Sequence, residues 1–589
     1  MPANPTEQPN TAFSVGGHRF SYGTALLLLL AVTFLVYANT AGFEFVYDDW
    51  LQITRNPQLD SWKNIPQFFL GDVWGFAENA ASGSYYRPIF TLWLLLNYKA
   101  FGTNPHWWHL TTVLLHLVAT YLVYLLGRRL LRSQPAGLVA ALLFGLTPLH
   151  IENVAWVTDG IDSMMGIFFV GSFLLFLRAK ESSRLTAWVG SLVLYTLGLL
   201  VKETAVVLPG IVFAYEWSGV GGAEMKSSWR ERVKNGFRGA LPYLGVTIAY
   251  FVVRRLALHA LASPEQKQPL GMILKTVPAV LWFDIHQLVL PFRTSEFYGV
   301  HFVKTADFSN FVLPLFAVVF TSAMVYLGAR KSRLMNFTAW WLVLPLAPSL
   351  VGLALFEPYA LVHDRQLYLS SIAFYILVAG LVCGIPNRKL LVASVAVIVC
   401  AFGIITVVQT RYWADDFHLY SRAVQVAPRN PLPRNHLAYV YVQNGDYKRG
   451  LELYHEALAL DPQYWRTNIS LATTYFQIGQ LTEAEKFYER SIALYPGNAN
   501  QRNASQYYYL GQTRLRMGRI HDAEQPLRTA LEINPSGFGY HYALGYVLLQ
   551  EGKLEEAREQ FQADLVLNPD SPARHDVALI DARLSQSHP

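Results

Sequence analysis

Charge is scarce in this chain. Asp, Glu, Lys and Arg together make up 15% of its 589 residues, against about a quarter in an ordinary soluble protein, which excludes a purely water-soluble fold and a disordered one. Cysteine is almost missing. Cys383 and Cys400 both lie in apolar runs, so a disulfide framework is excluded and no metal-ligand spacing of thiols exists. A strong basic surplus is also lacking: the net charge of +6 is small for the length and reads as a loop bias, with no nucleic-acid partner implied. The first apolar run, Tyr22 to Gly42, lacks a small-residue cleavage pattern and is expected to stay as a first membrane helix. Hydrophobic residues fill the space that charge leaves, at 52%, and aromatics reach 14%. Trp and Tyr in such numbers suit the interfacial belts of a protein that crosses the bilayer many times.

Twelve apolar runs long enough to span begin near residues 22, 106, 134, 160, 185, 203, 238, 272, 310, 338, 369 and 390. Basic clusters stay cytoplasmic in short loops. Arg128, Arg129 and Arg132, then Arg178, Lys180 and Arg184, then Lys226 to Arg238 fall inside if the N-terminus does. Arg330, Lys331, Arg333, Arg388 and Lys389 do so only if one run between 254 and 309 fails to cross. The run near 272 to 291, with Lys275, Pro278, Asp284, His286 and Pro291, is the costly one. Eleven spans are therefore expected.

That layout gathers the awkward charges on the outer face: Asp48 with Asp49, Tyr85 to Pro88, His150 to Asp162, Lys202 with Glu203, and Glu357 to Arg365. A transport pathway would instead leave ionisable groups at mid-membrane depth on several helices. An acidic pair at a membrane surface suits proton removal from an acceptor hydroxyl while a lipid-linked donor stays in the bilayer, and two adjacent acids push one pKa upward. A polar patch after a membrane helix is the plainer reading of the pair. A departing lipid phosphate calls for Arg or Lys. Arg365, Lys202, Arg254, Arg255 and Arg87 are the candidates. Lys202 paired locally with Glu203 is the competing reading there. His363 and Asp364 are placed to orient Arg365 or the acceptor. His150, Glu152, Asp159 and Asp162 read as an acidic outer loop that solvation largely explains. Acids on this face leave room for a divalent cation (Mg2+ or Mn2+), but no ligand spacing demands one.

After Thr410 the composition changes and the sequence repeats. Pro428, Pro462, Pro496, Pro535 and Pro569 are spaced 34, 34, 39 and 34 residues apart. Gly445, Gly479, Gly518 and Gly552 keep the same step, each followed five residues later by Gly450, Ala484, Ala523 or Ala557. This is a tetratricopeptide pattern of about four units with flanking helices over 411–576. The extra residues fall around Tyr495 to Ser505, and Asp564 stands where other units carry Ala457, Ser491 and Ala530. Such arrays commonly bind extended peptide or protein in a concave groove; a passive spacer or dimerisation arm is the alternative.

Phe45-Val-Tyr-Asp-Asp-Trp-Leu-Gln-Ile-Thr-Arg-Asn-Pro57, Tyr86-Arg-Pro88, Pro148-Leu-His-Ile-Glu-Asn-Val154, Lys202-Glu-Thr204 and Asp364-Arg-Gln-Leu-Tyr-Leu-Ser370 resemble the transmembrane-and-tetratricopeptide-repeat O-mannosyltransferases of the GT-C superfamily. The resemblance implies an all-α protein: a cytoplasmic tail (1–21), a GT-C-type membrane domain (22–410) with an outer loop at 43–105, the repeat domain, and a tail (577–589). It implies a polyprenyl- or dolichyl-phosphate sugar donor, a base at Asp48 or Asp49, and a protein or peptide acceptor recruited through the repeat groove. The last motif departs, with Asp364-Arg365 and Leu369-Ser370-Ser371 where that family more often has Glu-Arg and Leu-Pro-Ser, so the donor need not be dolichyl-phosphate mannose. Short loops and few repeats favour a bacterial cytoplasmic membrane with periplasmic repeats over the endoplasmic reticulum. Transfer to a lipid or glycan acceptor, or a non-catalytic membrane-anchored scaffold, are the rival functions.

Overall fold

Helices account for nearly all the regular structure, because the apolar runs are capped and punctuated where a helix needs it. A computed structural model describes residues 13–15, 18–76, 85–220, 228–258, 268–495 and 503–587. Among these, the only strands are Phe13–Val15 and His18–Phe20, paired antiparallel. Ser21 caps the first helix, Tyr22–Tyr37, accepting from the Thr24 N–H at 3.1 Å. Asn104 and Ser133 cap Pro105–Leu131 and Gln134–Leu146, each with proline in the first turn, where its missing N–H costs nothing. Arg128 and Arg129 close Pro105–Leu131, with their charge at the negative end of the helix. The two helices then approach so closely that a Cβ on Gly137 would lie 2.7 Å from the Arg128 nitrogen. In a bilayer such small-residue contacts are the main source of helix association.

The chain parts into two compact units between Val426 and Ala427. In the first, nine helices among the described residues are long and apolar enough to cross a membrane, and ten if Gln134–Leu146 and Pro148–Ala155, bent by 51° at Thr147, make one span. The protein is a multi-pass membrane protein. The count differs from the eleven expected. The run at 185 is a 17-residue helix, Leu185–Val201, and the run at 203 is an 11-residue helix, Leu208–Ser218; both fall short of the ~20 residues a straight span needs. Leu270–Val289, expected to lie in the interface or dip in and out without crossing, is one continuous 20-residue helix of sufficient length and hydropathy. The core between the spans is aromatic: Phe173 meets the Trp341 ring edge-to-face at 5.1 Å, beside Phe169, Phe176 and Phe337. Ser172 and Ser191 exchange side-chain-to-backbone hydrogen bonds of 2.7 Å across two helices.

The boundary expected at 411 moves to Ala427. The helix Asp416–Val426 belongs to the membrane unit, because its Asp416 carboxylate is bonded to the loop after the first span.

The second unit is built of four helix pairs, from Pro431–Gln443 with Tyr447–Leu460 to Tyr540–Gln550 with Leu554–Leu567, and a terminal helix, Ala573–Ser587. Each pair turns through a glycine at φ between 75° and 82° (Gly445, Gly479, Gly518, Gly552), a left-handed conformation that glycine adopts without penalty. Gly450, Ala484, Ala523 and Ala557 are buried where the paired helices touch. Asp564, the odd residue of the last unit, is buried and takes a hydrogen bond from Ser571. Most of the extra segment expected around Tyr495 to Ser505 lies outside the described residues.

Candidate active site

Leaving the first span, the chain buries Phe45 and Val46 and then turns sharply at Tyr47, whose φ is 52°. A tyrosine there is strained by about 1–3 kcal/mol and needs outside support. Asp416 supplies it: one carboxylate oxygen accepts the Tyr47 N–H at 2.9 Å, the other the Trp50 indole N–H at 3.0 Å. The Tyr47 ring packs edge-on against Trp156 (5.3 Å) and Phe297 (6.1 Å). A single π-helical turn, Trp50–Thr54, follows.

Between Tyr47 and this turn the two acids take different surroundings. Asp49 is fully buried and accepts the N–H groups of Thr158 at 2.8 Å and Val46 at 3.3 Å. Asp48 is half-buried, and among the described residues its carboxylate has no hydrogen bond and no ion pair. Burial raises the Asp48 carboxyl to about 6, against the pull of the Arg365 and Arg87 charges. Burial raises Asp49 to about 7, with the Thr158 and Val46 bonds working against the rise and the Asp48 charge adding to it. A carboxylate near 6 is ionised at neutral pH yet basic enough to take a proton.

The cations around the acids are all engaged. The Arg365 guanidinium lies over the Trp156 ring at 4.9 Å, contacts Glu152, and stands 3.4 Å from Glu296 and 3.7 Å from Asp159. Its backbone N–H donates to Glu152 at 3.0 Å. Lys202 pairs with Asp162 at 2.5 Å, so the local pair with Glu203, the competing reading, does not form. The reason is backbone: Lys202 is extended (φ −153°, ψ 132°), and neighbouring side chains on extended backbone point opposite ways. Glu203 instead holds Arg87 in a two-pronged bond of 2.9 and 3.2 Å. Burial works to raise the Glu203 carboxyl, but Arg87 outweighs it and holds it at about 2.

Asp48, Asp49, Arg87, Glu152, Lys202, Glu203, His363 and Arg365 are therefore linked by contact or by charge. Other candidates stand apart. Asp364 turns from Arg365 to accept from the Tyr298 hydroxyl at 2.6 Å and the Gln287 amide at 2.8 Å. His150 is a core residue, bonded to the Phe144 carbonyl and the Ser371 hydroxyl at 2.9 Å each. Arg254 is buried under Phe251, whereas Arg255 is exposed. The segment read as a solvated acidic loop is instead buried from Thr147 to Gly166, because the bend at Thr147 turns it inward, and Glu152, Asp159 and Asp162 serve as ion-pair partners.

Glu296, Thr158, Trp156 and Asp416 belong to the site and were not singled out in the sequence. Glu296 had a usable signal, a lone acid beside aromatics in Ser295-Glu-Phe-Tyr298, much like the setting of Asp48. Asp416 had none, since its partner lies 369 residues away.

Residues 86–255 match the family model described as dolichyl-phosphate-mannose-protein mannosyltransferase, and 441–506 and 508–572 match tetratricopeptide-repeat models. The chain is 26% identical over 502 residues to the human protein O-mannosyl-transferase TMTC1, covering 75% of this chain and 55% of that one. It is 23% identical over 560 residues to mouse protein O-mannosyl-transferase TMTC3 (86% and 60%), and 24% over 464 residues to protein O-mannosyl-transferase F38B6.6 of Caenorhabditis elegans (74% and 63%). The chain thus spans 55–63% of the length of these relatives. Among solved structures, it is similar to YrrB, a tetratricopeptide protein with an unusual peptide-binding site, at a TM-score of 0.27 and 21% identity over 29% of this chain and 85% of that one. It is also similar to MamA, at 0.24 and 22% over 26% and 86%. The resemblance to the transmembrane-and-tetratricopeptide-repeat O-mannosyltransferases extends over most of the chain.

Proposed function

We propose that a chain so similar to protein O-mannosyltransferases is itself a membrane-embedded inverting glycosyltransferase of the GT-C class. It moves one sugar, mannose or similar, from a polyprenyl- or dolichyl-phosphate donor to a Ser/Thr hydroxyl of a protein. One observation carries the reading: in a cluster whose cations Arg87, Lys202 and Arg365 are all paired, the Asp48 carboxylate has no bonded partner among the described residues, while the Arg87 and Arg365 charges both act on it. In the proposed step Asp48 accepts the hydroxyl proton as that oxygen bonds to the anomeric carbon. The bond from that carbon to the phosphate oxygen breaks, and its electron pair leaves with the lipid phosphate. A single displacement of this kind needs one carboxylate at the acceptor and inverts the sugar. Arg87, Lys202 and Arg365 hold the developing phosphate charge, and Asp49 fixes the loop that carries Asp48. The repeat unit recruits the protein acceptor. A bacterial cytoplasmic membrane with periplasmic repeats is the setting.

The test is transfer by the full chain in nanodiscs to a Ser/Thr-rich peptide, from polyprenyl-phosphate donors carrying different sugars. The proposal requires product with inverted anomeric configuration and stoichiometric release of lipid phosphate. Transfer with retention, or no transfer from any donor, contradicts it.

A further inference from the structure

Glu152, Glu296 and His363 come together from three separate segments of the membrane unit, and their residues are 1%, 1% and 7% exposed. Nδ1 of His363 faces an oxygen of Glu296 at 3.7 Å and one of Glu152 at 3.9 Å. Both distances are too long for a hydrogen bond, and among the described residues Nδ1 has no other partner. Three lone-pair-bearing atoms thus converge within 4.8 Å of one another. A spacing of this order is what ligands of one ion show around it.

The charge balance points the same way. Arg365 is one guanidinium against three carboxylates, Glu152, Glu296 and Asp159. The nearby Lys202 is taken by Asp162, and the donors on Asp364 are the neutral Tyr298 and Gln287. Carboxyl groups thus outnumber cations here, and burying them ionised without compensation is unfavourable. A divalent cation supplies that compensation where a proton otherwise would.

We propose that Glu152, Glu296 and His363 form a binding site for one divalent cation, with two carboxylate oxygens and an imidazole nitrogen as protein ligands. Mixed oxygen and nitrogen donors favour Mn2+ or Zn2+ over Ca2+ or Mg2+, whose preferred ligands are all oxygen. Arg365 stays beside the ion, bonded to the same glutamates and stacked on Trp156. The site stands on these contacts alone and does not depend on the proposed sugar chemistry.

The test uses the full chain in nanodiscs, stripped with a chelator and titrated with Mn2+. All samples carry His521→Ala, which removes the histidine of the exposed His521, Glu524 and Glu551 trio of the repeat unit. One Mn2+ per chain is expected, with pulsed electron paramagnetic resonance showing coupling to a single imidazole nitrogen and the ion raising the thermal midpoint. His363→Gln should abolish the nitrogen coupling and weaken binding at least tenfold. Glu296→Gln, which keeps the histidine and leaves Arg365 its Glu152 contact, should weaken binding while keeping the coupling. No stoichiometric Mn2+ or Zn2+ on the unsubstituted site overturns the proposal, since the Nδ1 atom is then held by a proton. Nitrogen coupling that persists in folded His363→Gln also overturns it.

Discussion

The carboxylate of Asp49 holds two backbone N–H groups, those of Thr158 and Val46, whereas that of Asp48, one residue away, holds none among the described residues. Substitution should therefore separate the two. Asp48→Asn leaves the loop in place and is expected to lower transfer by about 10²–10⁴, read as turnover under saturating donor. Asp49→Asn removes an acceptor from a buried donor and is expected to cost about 1–3 kcal/mol, read as a lower thermal midpoint together with reduced turnover. The pH dependence follows from the raised carboxyl of Asp48. As a base it acts when ionised, so kcat/KM should fall as pH drops through about 6 and level off above it. For stability the sign is opposite. The folded state holds the Asp48 proton more tightly than the unfolded state, so this group's contribution is most favourable below the unfolded carboxyl pKa and is lost as pH rises through about 6. Asp48→Asn should thus raise stability at pH 7, by up to about 2 kcal/mol after allowing for partial exposure, while it abolishes activity. A variant that loses both would place Asp48 in the scaffold. The adjacency of Asp48 and Asp49 after the first apolar run was legible in the sequence; their different bonding was not, because it depends on a φ of 52° at Tyr47 that composition does not encode.

Two elements were misread for reasons of local geometry. The run at 203 begins with an extended Lys202 and a 3-10 turn, Glu203–Val207, so an apolar stretch that looks continuous is not one straight helix. The same extended backbone sends Lys202 to Asp162 and Glu203 to Arg87. The helix Asp416–Val426 falls after the composition change at Thr410 and so groups with the repeats by sequence, but Asp416 clamps the Tyr47 turn. Asp416→Ala is expected to release the turn and lower turnover about tenfold or more, as a misplaced catalytic group does, with the helical content of the chain unchanged by circular dichroism. Tyr47→Gly in that background should restore part of the stability by removing the left-handed strain, without restoring activity. The bend at Thr147 was equally invisible in hydropathy. It turns Glu152, Asp159 and Asp162 from a solvated loop into the buried counter-charges of Arg365 and Lys202.

At the scale of the whole chain, the sequence was most legible where geometry repeats. The 34-residue step with its glycine, small residue and proline determined the repeat unit almost helix by helix, since each unit is a local solution copied along the chain. The unit from Ala427 onward buries its own cores, among them Leu527, Leu544, Val547 and Phe561. A soluble fragment 427–589 should accordingly fold alone with a cooperative thermal transition; a non-cooperative melt would contradict this. The polytopic character was likewise legible, because long apolar runs leave a chain few alternatives. The span count was not, since short helices and bent pairs escape a rule based on run length.

The most direct test of the central claim is a comparison of single-turnover sugar transfer by wild type and Asp48→Asn, with folding checked by the thermal midpoint. Transfer lost in Asp48→Asn, at equal or higher stability, is the result this account requires. Transfer retained in Asp48→Asn would contradict it and assign the base to another group.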